Sequence, residues 1–136
     1  SDSHISVSPV EELRWLEYGQ RLQTRHRNVA ARKAGASVGE TLWAAALDGG
    51  ARASGAALAA FADGARADLL VLDHDASLLA ARDAASAMDS FVFAGNVPLV
   101  RHVMAGGEWV VRDFRHRDAA AIATRYRDAV ARLRSS

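Results

Sequence analysis

Val10, Leu13, Leu16 and Leu22 recur at helical spacing, with Trp15 and Tyr18 beside them. This is one apolar face of an amphipathic α-helix. Its start is marked. Ser8 can cap, Pro9 takes the first helical position without wasting an N–H, and Glu11 is placed to close a capping box. Gly19 weakens the middle of the run by ~1 kcal/mol relative to Ala, which leaves room for a bend or break there. Ser37-Val38-Gly39-Glu40 repeats the capping signal, and Val38, Leu42, Ala45 and Ala46 form a second helical face. That helix is expected to stop at Gly49-Gly50, with a short helix after it ending near Gly55.

The texture then changes. Leu69-Leu70-Val71-Leu72-Asp73 is a short continuous apolar run bounded by polar residues, which reads as a buried strand. Residues 77–89 read as helical or irregular, and Phe91-Val92-Phe93-Ala94 as a second strand. Val100 to Ala105 and Trp109 to Arg112 are two more, joined through a Gly106-Gly107 hairpin turn. Ala119, Ile122, Ala123, Tyr126, Val130 and Leu133 return to helical spacing and predict a closing helix over 118–134. Ile5 and Val7 suit the end of a strand and the loop after it. Four short strands with apolar faces need further strands or another layer to cover them. Sequence upstream of residue 1 is the expected source. The class is α/β, with boundaries at 1–60, 61–116 and 117–136.

Composition narrows the functional classes. The chain has 136 residues, half of them apolar, which is enough for a packed core. A net charge of +1 gives no push toward nucleic acid or an acidic membrane. Cysteine is absent, which removes disulfides, thiolate metal sites and Cys nucleophiles, and fits a reducing compartment such as the cytoplasm. No apolar run approaches the ~20 residues of a membrane helix. The polar N-terminus has no basic n-region of a signal peptide. It also has no initiator Met, and it reads as the inside of a fold. Sixteen Arg against one Lys, with abundant Ala, read as genome composition bias.

Candidate chemistry is sparse. The basic segment Arg21, Arg25, His26, Arg27, Arg32 and Lys33 reads as a solvated helix end, with anion or partner binding as the alternative. Asp2 and His4 stand just before a capped helix. In a parallel barrel, reactive groups gather at the C-terminal ends of strands. A Ser-His-Asp triad is disfavoured, because there is no G-x-S-x-G elbow and Ser1 to His4 are too close in sequence to converge. His4, His26, His74, His102 and His116 show neither His-x-His nor H-E-x-x-H spacing, so they build no metal site of their own. His74-Asp75 reads as a turn. Gly49-Gly50 and Gly106-Gly107 read as turn punctuation, and Trp15, Trp43 and Trp109 as packing.

Ser1-Asp2-Ser3-His4, followed by the run from Val7 to Leu22, resembles the formimidoylglutamate deiminases of the amidohydrolase superfamily. Gly64 to Asp73 resembles the element by which amidohydrolases return from barrel to small β-sandwich. Phe93-Ala94-Gly95-Asn96 and Val100 to Asp113 resemble that sandwich's closing hairpin. The resemblance implies the C-terminal end of a (β/α)8 barrel, with part of a sandwich made from both chain ends and a terminal helix. It implies an enzyme of histidine degradation that converts N-formimidoyl-L-glutamate to N-formyl-L-glutamate and ammonia. It also implies one divalent metal, typically zinc, held by upstream histidines and by an aspartate ending strand eight. Asp2 matches that aspartate, as metal ligand and as catalytic proton acceptor for the metal-bound water. His4 matches no metal histidine. The implied partners are the remainder of the same enzyme chain, the small-molecule substrate and a second subunit in a homodimer, with no nucleic acid and no membrane. With Asp2 alone, the chain is expected to be inactive. Two readings compete: another amidohydrolase deaminase acting on a purine or triazine, and a non-catalytic α+β interaction domain using the Arg21–Lys33 surface.

Overall fold

Both capping serines start helices. In this computed structural model, which describes residues 5–31, 33–55 and 61–135, the Ser8 hydroxyl accepts a hydrogen bond from the Glu11 N–H at 3.3 Å and opens α1 (Pro9–Thr24). The Ser37 hydroxyl accepts from the Glu40 N–H at 2.9 Å and opens α2 (Val38–Ser54). The remaining elements are β1 (Leu69–Leu72), a 3₁₀ turn (Ser77–Leu79), α3 (Ala84–Phe93), β2 (Val100–Ala105), β3 (Glu108–Arg112), β4 (Arg115–His116) and α4 (Ala119–Arg134). The expected strand end at residues 1–4, including Asp2 and His4, lies outside the described residues. Ile5 to Ser8 form no strand.

Neither glycine site interrupts its helix, although α2 was expected to stop at Gly49-Gly50. α1 runs through Gly19, and α2 runs through Gly49-Gly50 to end at Gly55, which takes the left-handed cap at φ 66°. Each glycine site is spanned by an acid–arginine pair one turn apart. Glu17 and Arg21 bracket Gly19 at 2.7 Å, and Asp48 and Arg52 bracket the glycine pair at 2.6 Å. Such i,i+4 pairs stabilise a helix by a few tenths of a kcal/mol. Burial of Ala51 further ties down the last turns of α2.

The expected strand at Phe91–Ala94 is the end of α3. The Asp83 carboxylate accepts from the Ser86 N–H at 2.8 Å and nucleates a helix that carries through the apolar run. A short apolar run does not distinguish a buried strand from a buried helix by periodicity, and here the cap upstream decides. The buried face of α1 also differs from the expected one. Leu13 and Glu17 point inward, while Trp15, Leu16 and Leu22 stay more than half exposed.

The described chain divides into two units, residues up to 65 with 73–99, and residues 66–72 with 100 onward. The first is helical. Leu13, Val38, Leu42 and the fully buried Val92 form its core, with Ala30, Ala31, Trp43 and Phe93 packed against it. Trp43 meets Phe91 edge-on at 5.4 Å. Gly39 lets α2 approach α3 closely, since a Cβ there would lie 2.4 Å from the Met88 carbonyl oxygen.

The second unit is an antiparallel meander in the order β1-β2-β3-β4, followed by α4. Gly106 and Gly107, at φ 58° and 86°, turn β2 into β3, as expected. The tip of that hairpin is pinned by the segment before β1: the Gly106 N–H donates to Asp68 at 2.7 Å and the Gly107 N–H to the Ala67 carbonyl at 2.9 Å. β1 was expected to be buried, yet Leu70 and Val71 are 40% and 37% exposed. A strand is buried on both faces only where layers cover both. β4 was not expected at all. It follows a two-residue turn at Asp113-Phe114, where neither residue is glycine and both have positive φ.

Candidate functional site

Asp2, the carboxylate to which the resemblance gives a catalytic and metal-binding role, lies outside the described residues. The element behind it is described in detail. The Ser8 cap of α1 comes six residues after Asp2 in the sequence, and α1 itself is anchored by two side chains. The strongest anchor is Arg14, in the second turn. Its Nε donates to the Val92 carbonyl at 2.8 Å, and its two terminal nitrogens donate to the Asn96 side-chain oxygen at 2.7 Å and the Gly95 carbonyl at 2.8 Å. These acceptors lie at or just past the end of α3, where carbonyls have no partner within the helix and a cation suits the dipole.

Glu17 is the second anchor. It is 1% exposed and accepts three hydrogen bonds: from Arg21 Nε at 2.7 Å, the Val29 N–H at 3.0 Å and the Ala30 N–H at 2.9 Å. Burial pushes its carboxyl upward. The Arg21 hydrogen bond, the Ala30 and Val29 amides and the Arg21 charge outweigh that and hold it below the ordinary carboxylate range. The Arg21 guanidinium also lies over the rings of Tyr18 and Phe93, at 5.4 and 5.5 Å.

This pairing bears on the basic segment. Arg21, its first member, is committed to Glu17. Arg25 caps α1 in the left-handed conformation. A 16-residue helix is about 24 Å long, so Arg25 stands roughly that far from the Ser8 cap. Its described members belong to the end of α1 and to the residues that follow it.

A cavity of about 230 Å³ opens among Tyr18, Arg21, Asn28, Val38, Asp89 and Phe93. Its charged members already have partners: Arg21 is held by Glu17, and Asp89 accepts the Gly39 N–H at 2.7 Å. It is smaller than the 300–1,000 Å³ usual for ligand pockets, and we read it as a packing gap.

The described histidines do not converge. The His102 and His116 Nδ1 atoms accept the Asp113 and Asp118 N–H groups, at 3.2 and 3.1 Å, and His102 also packs edge-on against Trp109. Among the described residues, Asp73, His74 and Asp75 could offer ligand atoms to one ion. They are consecutive residues at a turn closed by the Ala76 N–H on the Asp73 carbonyl, as expected for His74-Asp75. The His74 and Asp75 side chains are 84% and 69% exposed. A catalytic metal needs an enclosed site with supported ligands and an open position for substrate, and this turn does not fit it.

Arg14, Glu17 and Asp89 were missed as positioning residues. An acid one turn from an arginine, on a buried stripe, is a signal that could have found Glu17. Arg14 reaches acceptors 78 to 82 positions away, and nothing local marks it.

A formimidoylglutamate deiminase from Pseudomonas aeruginosa is 53% identical to this chain over 116 residues, which are 85% of this chain and 26% of that enzyme. The crystal structure of an amidohydrolase from Brucella melitensis matches with a TM-score of 0.85 and 34% identity, covering 95% of this chain and 28% of that one. The chain therefore spans about a quarter of the length of each relative. No family model matches it.

Proposed function

We propose, from the premise that this chain belongs to the formimidoylglutamate deiminases of the amidohydrolase superfamily, that it is the C-terminal part of an enzyme converting N-formimidoyl-L-glutamate to N-formyl-L-glutamate and ammonia. The observation that carries this reading is the 53% identity, sustained over 116 residues. The amidohydrolase likeness, at a TM-score of 0.85, supports the same class independently.

In this reading residues 1–4 end the eighth strand of a (β/α)8 barrel, and α1 is the helix that follows it. The antiparallel sheet is part of the small sandwich. Its missing strands, and the metal-binding histidines, belong to the upstream three-quarters of the enzyme. Asp2 would hold a single divalent ion, zinc in our reading, and accept a proton from the attacking water. A bound metal supplies a water whose pKa is lowered toward ~7. Arg14 and Glu17 fix the helix behind Asp2. The enzyme would work in the cytoplasm as a homodimer. No helix among the described residues is long and apolar enough to cross a membrane.

Ammonia release from N-formimidoyl-L-glutamate by the full-length enzyme tests the proposal. Asp2→Asn should lower kcat by about 100-fold or more, the range expected for loss of a proton-transferring group. The 136-residue chain alone should give no turnover. Failure of the full-length enzyme to release ammonia, or faster deamination of a purine or triazine, would overturn the assignment.

A further inference from the structure

α4 is a 16-residue helix with no buried residue. Helices of this length are marginal in water without tertiary packing. Its sequence is nevertheless built for packing. At 100° per residue, Ala119, Ile122, Ala123, Tyr126, Val130 and Leu133 fall within one arc of roughly 100°. Ile122 and Tyr126 in that arc are 46% and 69% exposed. Arg125 and Arg132 border one side of the stripe, and Arg127 and Arg134 border the other. Asp128 and Thr124 face away from it.

We infer that this stripe is a docking surface for the upstream portion of the same polypeptide, on an apolar strip flanked on both sides by carboxylates. Two observations choose this occupant. The relatives are about four times longer than this chain, so most of such an enzyme is available to cover the helix. The arginine borders also disfavour a second copy. A symmetric pairing of the stripe with itself would set arginines against arginines on both sides, whereas carboxylates there would set opposite charge against both rows.

The inference rests on the reading of this chain as part of a longer enzyme, and the test separates the two. The probe is the full-length protein with p-benzoylphenylalanine in place of Tyr126, irradiated and digested for mass spectrometry. The expected product keeps the mass of one chain and joins position 126 to an upstream peptide with Asp or Glu beside the point of attachment. A covalent dimer would overturn the inference, as would attachment confined to these 136 residues, no attachment, or the absence of an upstream portion. Hydrogen exchange on the unmodified full-length protein is the second measurement. Slow amides over 119–134 are expected, and exchange at the rate of an unprotected peptide would overturn the docking. Ammonia release by the same protein is scored separately. If it fails while the upstream attachment forms, the deiminase assignment falls and the docking surface stands.

Discussion

Leu13, Val38, Leu42, Phe91, Val92 and Leu99 are all buried, and all belong to the helical unit; no described residue of the sheet unit is buried. The helical unit is closed by apolar packing and by polar groups that reach across it: Arg14 to the end of α3, Glu17 to the Val29–Ala30 backbone, and Asp89 to the start of α2. The sheet unit is closed by its backbone ladder, by turns pinned at Asp68 and His102, and by exposed pairs such as Arg101–Asp113 and Arg117–Glu108. Exposed pairs contribute little to stability, and a small sheet needs a layer against its face. The difference teaches where this sequence carries its own core and where it is written to receive one.

The sharpest way to break that comparison is at Glu17. Glu17→Ala leaves two backbone N–H groups and an arginine without their common acceptor, and should cost about 3 kcal/mol in denaturant unfolding. The pH dependence has a fixed sign. The folded-state pKa of Glu17 is lowered, so its stabilisation is present above the unfolded value of about 4.5 and is lost as pH falls through the folded value. Glu17→Gln should flatten that acid limb. An unchanged acid limb, or a loss for Glu17→Ala no larger than a surface substitution gives, would show that the carboxylate does not hold the unit together.

Gly39 and Gly49 lie in the same helix and should respond with opposite signs. At Gly39 an added Cβ meets the α3 backbone, whereas at Gly49 nothing lies within 4 Å. Gly39→Ala should destabilise by about 2 kcal/mol through overpacking. Gly49→Ala should stabilise by roughly 0.5–1 kcal/mol through helix propensity. Equal effects would mean that the α2–α3 contact is looser than the distances say.

The sheet unit should gain from a change at its second turn. Phe114 sits at φ 64°, a conformation that costs a non-glycine residue about 1–2 kcal/mol. It is nearly half exposed, so its ring gives little back. Phe114→Gly creates the Asp-Gly pair that such hairpins prefer and should stabilise the unit by about 1 kcal/mol. A loss would show that the ring makes a contact worth more than the strain.

That turn also shows what the sequence could and could not tell. Ser8-Pro9, Ser37 and Gly106-Gly107 each carry a local chemical reason for their structure, and α1, α2 and the β2–β3 hairpin were read from them. Asp113-Phe114 has no such signature, because its shape is imposed by β2, through the Arg101 carbonyl and His102; β4 was therefore invisible. Phe91-Val92-Phe93 looked like a strand because its cap, Asp83, lies eight residues upstream. The glycines in α1 and α2 looked like breaks, because propensity speaks for one residue at a time and a bridging ion pair does not. For the candidate site, spacing left Asp2 no better than a cap or loop residue. The family resemblance alone gave it a role, since a metal centre assembled from distant strand ends leaves only one corner in any single stretch.

The smallest predicted effect divides the two units most cleanly. Val92→Ala and Tyr126→Ser both shorten an apolar side chain in a helix, and side-chain transfer alone would rank Tyr126 as the larger loss. Val92 is 0% exposed and Tyr126 is 69% exposed. In the 136-residue chain, Val92→Ala should cost about 2 kcal/mol, the cost of a cavity in a packed core, while Tyr126→Ser should stay within roughly 0.5 kcal/mol, as at an ordinary surface position. In the full-length protein the Val92 cost should hardly change, because its core partners Leu13, Val38 and Leu42 all lie within the helical unit. The Tyr126 cost should rise above about 1 kcal/mol once the stripe on α4 is covered. Chemical unfolding of the two variants in the two lengths of chain measures this. If Tyr126→Ser stays silent in both, the contrast between a self-contained unit and a receiving one is wrong for α4.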